Sequence, residues 1–505
     1  MKNYQLVPMR LCVVLAITTT LLIGVSCKQT EKQEQAAVLP AELPVTSSSA
    51  EAVAAFKKGM EYLDVGNAQQ ARIQFSKAIE LDSNFASAYL FRSNTSPSND
   101  HFKSDVRLAA QKLTENESEK ILVEIYRTFL NNNKEERLKQ SQQLVTTYPT
   151  SARALVFLGD AYFDINDHAK SREQYQKAIE LDSSWVGGYF NLANSYMNVD
   201  PKDFKKAEEN FQKVVELKPD LSGSHIYLGD AYRAQNNLEQ AKASYEKALE
   251  KDPNDALTYL KKGHVNSYLG SYEDARNDYR KAAELNQDNK VAPINFEAFT
   301  YLYAGDFKAA KAMLEDKVKN ISKIGLQESQ INGAKNSFLS NCALISFHAG
   351  DAKEVSRFVA MMKPVAEKIG QGIGTEEAIL QQKANILVWE SYALALKGDY
   401  AGATAKAEEA KKALDPVKDA NKLWNYHSVL SYISFQQGKF DDAIAHQEQS
   451  DPNAPYSKYR LALACEKAGQ TERANKLYNE LVDYNFNAIG YALIRKELKE
   501  KMKAV

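Results

Sequence analysis

Apolar residues recur along this chain with the spacing of paired amphipathic helices. Counted from residue 152, the core-type positions are 4, 7, 8 and 11, then 24 and 27, held by Leu155, Leu158, Gly159, Tyr162, Tyr175 and Ala178. Such spacing places one apolar face on each of two consecutive helices. The pattern repeats in Ala55, Gly59, Tyr62, Ala71, Phe75 and Ala78, and in Tyr189, Leu192, Ala193, Tyr196, Ala207, Phe211 and Val214. It returns in His225, Leu228, Gly229, Tyr232, Ala241, Tyr245 and Ala248, and in Tyr259, Gly263, Ala275, Tyr279 and Ala282. Gly229 to Gly263 is one period of 34 residues; Gly159 to Gly229 is 70, two periods plus 2, with the extra pair at the turn holding Asp200 and Pro201. A mid-helix glycine costs about 1 kcal/mol against alanine. Its recurrence at 59, 159, 229 and 263 needs a compensating gain, expected from close approach of a second helix whose Ala71, Ala241 and Ala275 are also small, with the aromatics that follow filling the remaining gap.

The recurring aromatic-Leu-Gly-Tyr and Ala-aromatic-Ala positions resemble the tetratricopeptide repeat (TPR) family, strongly over 52–85 and 152–289. Residues 86–151 read as two degenerate units, with Tyr89 in one and Ile125, Leu144 and Pro149 in the next. Beyond 290 the turns persist at Gly305, Gly350, Gly398, Gly438 and Gly469, but their spacing drifts to 45, 48, 40 and 31, so helices or loops have lengthened. The resemblance implies an all-α, right-handed TPR solenoid of about eleven helical hairpins, less regular after residue 290. Its parts are a regular array over 52–289, TPR-like repeats over 290–484 and a capping helix over 485–505. In the family the first helix of each pair lines a concave groove. The matching non-core positions here are Asp160, Asp164, Asn194, Asn198, Asp230, Arg233, His264 and Tyr268, a mixed-polarity surface suited to a protein or peptide. Tyr268 is the expected aromatic anchor. The clamp for a terminal carboxylate found in chaperone-binding TPRs does not transfer, because Phe56 and Met60 hold its places.

Composition agrees with a repeat protein of 505 residues: 44% hydrophobic, with 22 Gly and 13 Pro. Stacked repeats share one core, so length does not imply several domains. The 64 basic and 65 acidic residues are balanced and form no long run, which sets nucleic acid aside. Phosphate-loop, zinc-protease, nucleophile-elbow and paired-cysteine signatures are absent, so neither an enzyme nor a cofactor nor a metal site is expected. His225 stands where other units carry Leu155 or Tyr259 and reads as a packed core histidine. Gly370 to Thr375, a glycine-rich tract, reads as a flexible loop between helices. Cys342 and Cys465 lie in apolar helical runs and read as small buried hydrophobes.

The N-terminus has the form of a targeting segment. Lys2 and Arg10 precede a 15-residue apolar stretch, Leu11 to Val25, too short for an ordinary membrane span. The end, Ile23-Gly24-Val25-Ser26-Cys27, resembles a bacterial lipoprotein signal peptide, although Gly24 stands where that family usually has leucine. The resemblance implies cleavage after residue 26 and lipid attachment to Cys27, with ordinary secretory cleavage or a retained anchor as alternatives. Residues 28–51 are polar and read as a flexible linker. Lys28 in second place points to the outer membrane, by the enterobacterial sorting rule. The expectation is an envelope-anchored scaffold that holds proteins and faces the periplasm. The competing reading is an outer-membrane nutrient- or glycan-binding lipoprotein of the starch-binding-subunit type, disfavoured by three Trp and uninterrupted repeats.

Overall fold

The computed structural model describes residues 42–503 apart from 97, 287, 288 and 483. The signal segment, Cys27 and the linker through residue 41 lie outside the described residues. Twenty-five α-helices and no strand occur among those described. Before residue 290, α1 (Ala50–Asp64) pairs with α2 (Ala68–Leu81), α3 (Ala86–Ser93) with α4 (Asn99–Gln111), and α5 (Glu117–Leu130) with α6 (Lys134–Thr147). Next come α7 (Ala152–Asp164) with α8 (His168–Leu181), and α9 (Val186–Asn198) with α10 (Phe204–Leu217). The regular array ends with α11 (Ser222–Ala234) and α12 (Leu238–Lys251), then α13 (Ala256–Leu269) and α14 (Tyr272–Leu285).

Five hairpins follow. They are α15 (Val291–Tyr303) with α16 (Phe307–Lys319), α17 (Glu328–His348) with α18 (Ala352–Ile373), and α19 (Glu376–Leu396) with α20 (Tyr400–Ala413). The last two are α21 (Trp424–Gln436) with α22 (Phe440–Gln447), and α23 (Pro455–Lys467) with α24 (Thr471–Val482), before a final α25 (Ile489–Lys503). The total is twelve hairpins, one more than the count of about eleven expected from the turns. The result is an all-α solenoid of stacked hairpins.

One turn chemistry builds most of these hairpins. A residue in the left-handed region is followed by a polar cap for the second helix: Gly66 and Asn67, Asn166 and Asp167, Gly305 and Asp306, Gly350 and Asp351, Gly398 and Asp399. Each cap's side chain accepts a backbone N–H of the first turn, which satisfies one of the donors that a helix start leaves free. The α9–α10 turn spans five residues where α1–α2 and α7–α8 use three, which accounts for the two extra residues in the period.

The recurring glycines admit a ring rather than a bare helix. A Cβ on Gly59 would stand 2.6 Å from the Phe75 ring, on Gly159 2.4 Å from Tyr175, and on Gly229 and Gly263 2.6 Å from Tyr245 and Tyr279. Ala71, Ala241 and Ala275 are all fully buried, and the expected aromatics take the larger share of the space. The aromatic sixteen residues on fills the space the glycine leaves, and the burial outweighs the glycine's cost.

Beyond α14 the period fails because helices grow. Helices α17, α18 and α19 run 21, 22 and 21 residues, about 11 Å longer than a 14-residue helix. The glycine tract expected to be a loop is mostly helix: α18 runs to Ile373, Gly374 caps it in the left-handed region, and Thr375 caps α19. Both cysteines are buried and unpaired. His225 is buried, with Nε2 2.9 Å from the Pro219 carbonyl. Helix α25 packs on the last hairpin, α23 and α24, and also runs back against α15 and α17. Its Tyr491, Ala492, Leu493, Ile494 and Leu498 are all but fully buried in the apolar cluster that extends from Tyr268.

Candidate binding surface

Helix α1 touches α9, four hairpins further on. The first helices of the array therefore look inward at one another, and the eight residues singled out from sequence all lie on them. Asn198 is the exposed one; Asp230 and Tyr268 are buried, and the other five are half-buried. On α7, Asp160 accepts the Tyr175 hydroxyl at 2.6 Å and Asp164 is ion-paired with Arg137. On α9, the Asn194 and Asn198 amides each donate at 3.0 Å to a carbonyl one turn back, Phe190 and Asn194.

The remaining four converge, and the chain itself occupies them. Arg233 Nη1 donates to the Asn485 carbonyl at 2.7 Å, and Asn485 Nδ2 donates back to the Arg233 carbonyl at 2.6 Å. Asn487 Nδ2 donates to the Tyr279 hydroxyl at 2.8 Å and stands 3.1 Å from His264 Nδ1. Tyr303 donates to Asn487 Oδ1 at 2.9 Å, and Arg495 Nη2 to the Tyr268 carbonyl at 2.9 Å. Arg233, His264 and Tyr268 thus face the loop before α25 or the helix itself, and Asp230 is engaged beside them by Tyr245, Lys261 and Arg233. The open groove expected there is filled, because α25 finds its apolar partners on that same face.

Two equivalent carboxylates show how far this packing sets charge. Asp160 and Asp230 each follow the mid-helix glycine, and each accepts a tyrosine hydroxyl, Asp230 from Tyr245 at 2.7 Å. Burial pushes Asp160 up to about 6, against the Tyr175 hydrogen bond and with help from the Asp164 charge. Burial also works against the charge of Asp230, but Lys261 and Arg233 beside it overcome that and hold it below its ordinary value. His264 is pushed down to about 3, by burial first and then by the Arg233 and Lys261 charges.

The space left open lies nearer the N-terminus. A cavity of about 450 Å³ is bounded by α1, α3, α5, α7 and the start of α9. Phe56, Met60, Phe91, Leu122 and Val186 make its apolar floor, and Lys57, Glu61, Arg153 and Lys218 stand around it. Its wall is held by Asp64, which accepts Arg153 Nη1 and Nη2 at 2.9 and 2.8 Å and the Trp185 indole N–H at 2.8 Å. The Arg153 guanidinium lies 4.7 Å over the Trp185 ring. Behind this wall the α1–α2 turn docks on α9 and α11. Asn67 Nδ2 donates to Ser222 Oγ at 3.0 Å, and Tyr227 donates to the Gly66 carbonyl at 3.3 Å.

Family models agree with these units. Two models of the tetratricopeptide repeat match, one at residues 159–200 and 229–267, the other at 52–85, 186–221 and 256–289. These stretches are TPR units. Among solved structures, a MamA fragment from Desulfovibrio magneticus is 19% identical, covering 32% of this chain and 90% of its own, with a TM-score of 0.29. TTC0263, a TPR protein of Thermus thermophilus, is 19% identical over 37% of this chain and 99% of its own, with a TM-score of 0.28. YrrB, described as a TPR protein with an unusual peptide-binding site, is 19% identical over 35% of this chain and 91% of its own, with a TM-score of 0.30. No curated protein matches the sequence.

The TPR consensus did not single out Asp64, Arg153, Trp185, Asn485 or Asn487. One signal was present: Gly223, in the first turn of α11, where a Cβ would stand 2.3 Å from the Val65 carbonyl. A glycine that serves no turn marks a place where another backbone comes close.

Proposed function

We propose that this chain is a TPR scaffold of the bacterial envelope, carried by a lipid on Cys27 at the outer membrane and facing the periplasm. It holds a protein partner in the N-terminal chamber and performs no chemistry of its own. The observation that carries the reading is the chamber itself, an apolar floor ringed by charge on the inner face of the first five hairpins. A buried apolar anchor with a polar rim is the arrangement from which specific protein interfaces draw their energy. Among the described residues no helix is long and apolar enough to cross a membrane.

The test is cross-linking in cells from Lys57 and Lys218, followed by mass spectrometry. Cross-links to one recurrent partner are expected, and capture of that partner by the tagged chain without cross-linker should be lost in Lys57→Glu with Lys218→Glu while the melt is unchanged. Cross-links confined to the second helices would refute the chamber. Cys27→Ser should remove a fatty-acid label and release the chain from membranes; an unlabelled wild type would refute the anchor.

A further inference from the structure

Where α17, α18 and α19 outgrow the ordinary hairpin, they enclose with the start of α21 a second cavity, of about 260 Å³. No charged side chain lines it. Its polar lining is chiefly amide: Asn336 on α17, Gln382 and Asn385 on α19, and Asn425 on α21. Two aromatic rings complete it, Trp389 and Tyr392, with centroids 5.7 Å apart.

These amides behave unlike others on helices of this chain. Asn191 and Asn210 spend Nδ2 on a carbonyl one turn back, both at 2.8 Å. Asn385 Oδ1 accepts from Gln381 at 3.3 Å, and the Tyr392 hydroxyl donates to Ser428 at 3.0 Å. Among the described residues, no hydrogen bond engages the side chains of Asn336, Gln382 or Asn425, or the Trp389 indole N–H. Donors and acceptors of four side chains therefore border one small space without use inside the fold.

We propose that this cavity binds a neutral saccharide of one or two rings. The chemistry selects that class by elimination and by fit. No charged side chain lines the space, and the Arg460 guanidinium beside it is already spent on the Tyr392 hydroxyl at 3.3 Å and the Ser428 carbonyl at 2.9 Å, so a phosphate, carboxylate or amine would enter without a free counter-charge, which is costly. A side-chain amide presents a donor and an acceptor side by side, as a sugar hydroxyl both gives and takes a hydrogen bond. The negative face of an indole accepts the weakly positive C–H face of a pyranose. The volume sits just under the roughly 300–1,000 Å³ of drug-sized pockets, in keeping with one or two rings. The site is on other helices than the N-terminal chamber, and the inference does not rest on the protein-holding reading.

The purified full chain, in detergent, is titrated by calorimetry with maltose, cellobiose and diacetylchitobiose, and with glucuronate and a tri-asparagine peptide as controls. At least one neutral disaccharide is expected to bind. Trp389→Ala should weaken it by about tenfold or more and Gln382→Leu by about threefold, the scale of one lost stacking contact and one lost hydrogen bond. Should Trp389→Ala lower the melt, Gln382→Leu, which keeps side-chain bulk, decides alone. The proposal is overturned if no disaccharide binds at millimolar concentration, if Gln382→Leu leaves binding unchanged, or if glucuronate or the peptide binds more tightly.

Discussion

The array before α15 and the helices after it close the same inner face by different means. In the first, a single turn docks: Gly66 and Asn67 reach Tyr227 and Ser222, Asp64 gathers Arg153 and Trp185, and Val65 is fully buried with Val186, Val214 and Leu221. The contact is confined to that turn, joining hydrogen bonds to one small apolar cluster, and leaves a chamber of about 450 Å³ beside it. In the second, α25 lies down on α15, α17 and α23 and buries a continuous apolar stripe. Hydrogen bonds and one buried valine fix a geometry over a small area, whereas apolar burial along a whole helix grows with the area it covers. The difference teaches that first-helix position in a solenoid does not by itself make a residue available. Tyr268 is covered by its own chain, while Lys57, on the same kind of helix, is exposed.

The comparison breaks most visibly at α25. Leu493→Asp places a carboxylate where 1% of the side chain meets solvent, and an unpaired buried charge with lost apolar contact should cost above about 4 kcal/mol. Hydrogen exchange is expected to rise from α15 onward while α1 to α8 keep their protection, since stacked repeats depend mainly on neighbours. Uniform loss along the chain would mean the two regions fold as one unit. Next in size is Arg153→Ala, which strands Asp64 beside Trp185. The pair is partly exposed, so about 3 kcal/mol is expected in urea melts, the lower end for a broken buried pair. Adding Asp64→Asn should recover part of it; no recovery would mean the guanidinium acts by stacking on Trp185 alone.

Gly229→Leu comes third. A Cβ at that position already stands 2.6 Å from Tyr245, a fully buried ring, so overpacking should cost about 2 kcal/mol. Gly372, near the end of α18, has nothing within 4 Å of its Cβ position. Gly372→Ala is expected to raise stability by about 0.5 kcal/mol instead. Equal melts for the two variants would remove the packing account of the repeated glycine.

What the sequence made legible follows from how local each feature is. The glycine and the ring sixteen residues on, the caps such as Asp167 and Asp306 after left-handed turns, and the two-residue insertion at Asp200 and Pro201 all lie within one hairpin, so period and composition expose them. The lengthening of α17 to α19 erased the 34-residue period, yet the turns at Gly350 and Gly398 survived because left-handed backbone still required glycine there. The occupants of the inner face were not legible. Arg233 meets Asn485 across 252 residues, and no periodicity within one repeat reports a contact of that range. The residues named for the groove do lie on first helices; what the consensus omits is the segment that meets three of them, Arg233, His264 and Tyr268.

The smallest effect expected in the wild type separates the two regions by their charge. Asp160, with no cation beside it, has its folded value raised to about 6; its unfolded form titrates near the ordinary aspartate value of 3.8. Between those values the folded chain binds a proton the unfolded chain does not, so this group adds stability as pH falls from 7 to 5, by about 1 kcal/mol. His264 has the opposite sign. Its folded value of about 3 lies under the ordinary 6.5, so over the same range the unfolded chain takes the proton and stability falls, by about 2 kcal/mol at most. Arg233 and Lys261 face His264 and deepen the shift, while Asp230 opposes it. The two contributions oppose each other in the wild type, and each substitution exposes the other. Asp160→Asn keeps an acceptor for Tyr175 and should melt progressively lower than wild type on going from pH 7 to 5. His264→Gln should melt progressively higher over the same interval. Thermal melts at half-unit steps decide the matter, because all other carboxylates are common to the three proteins. Parallel curves would show that neither group titrates as its surroundings require, and the contrast between Asp160 and Asp230 would lose its electrostatic basis.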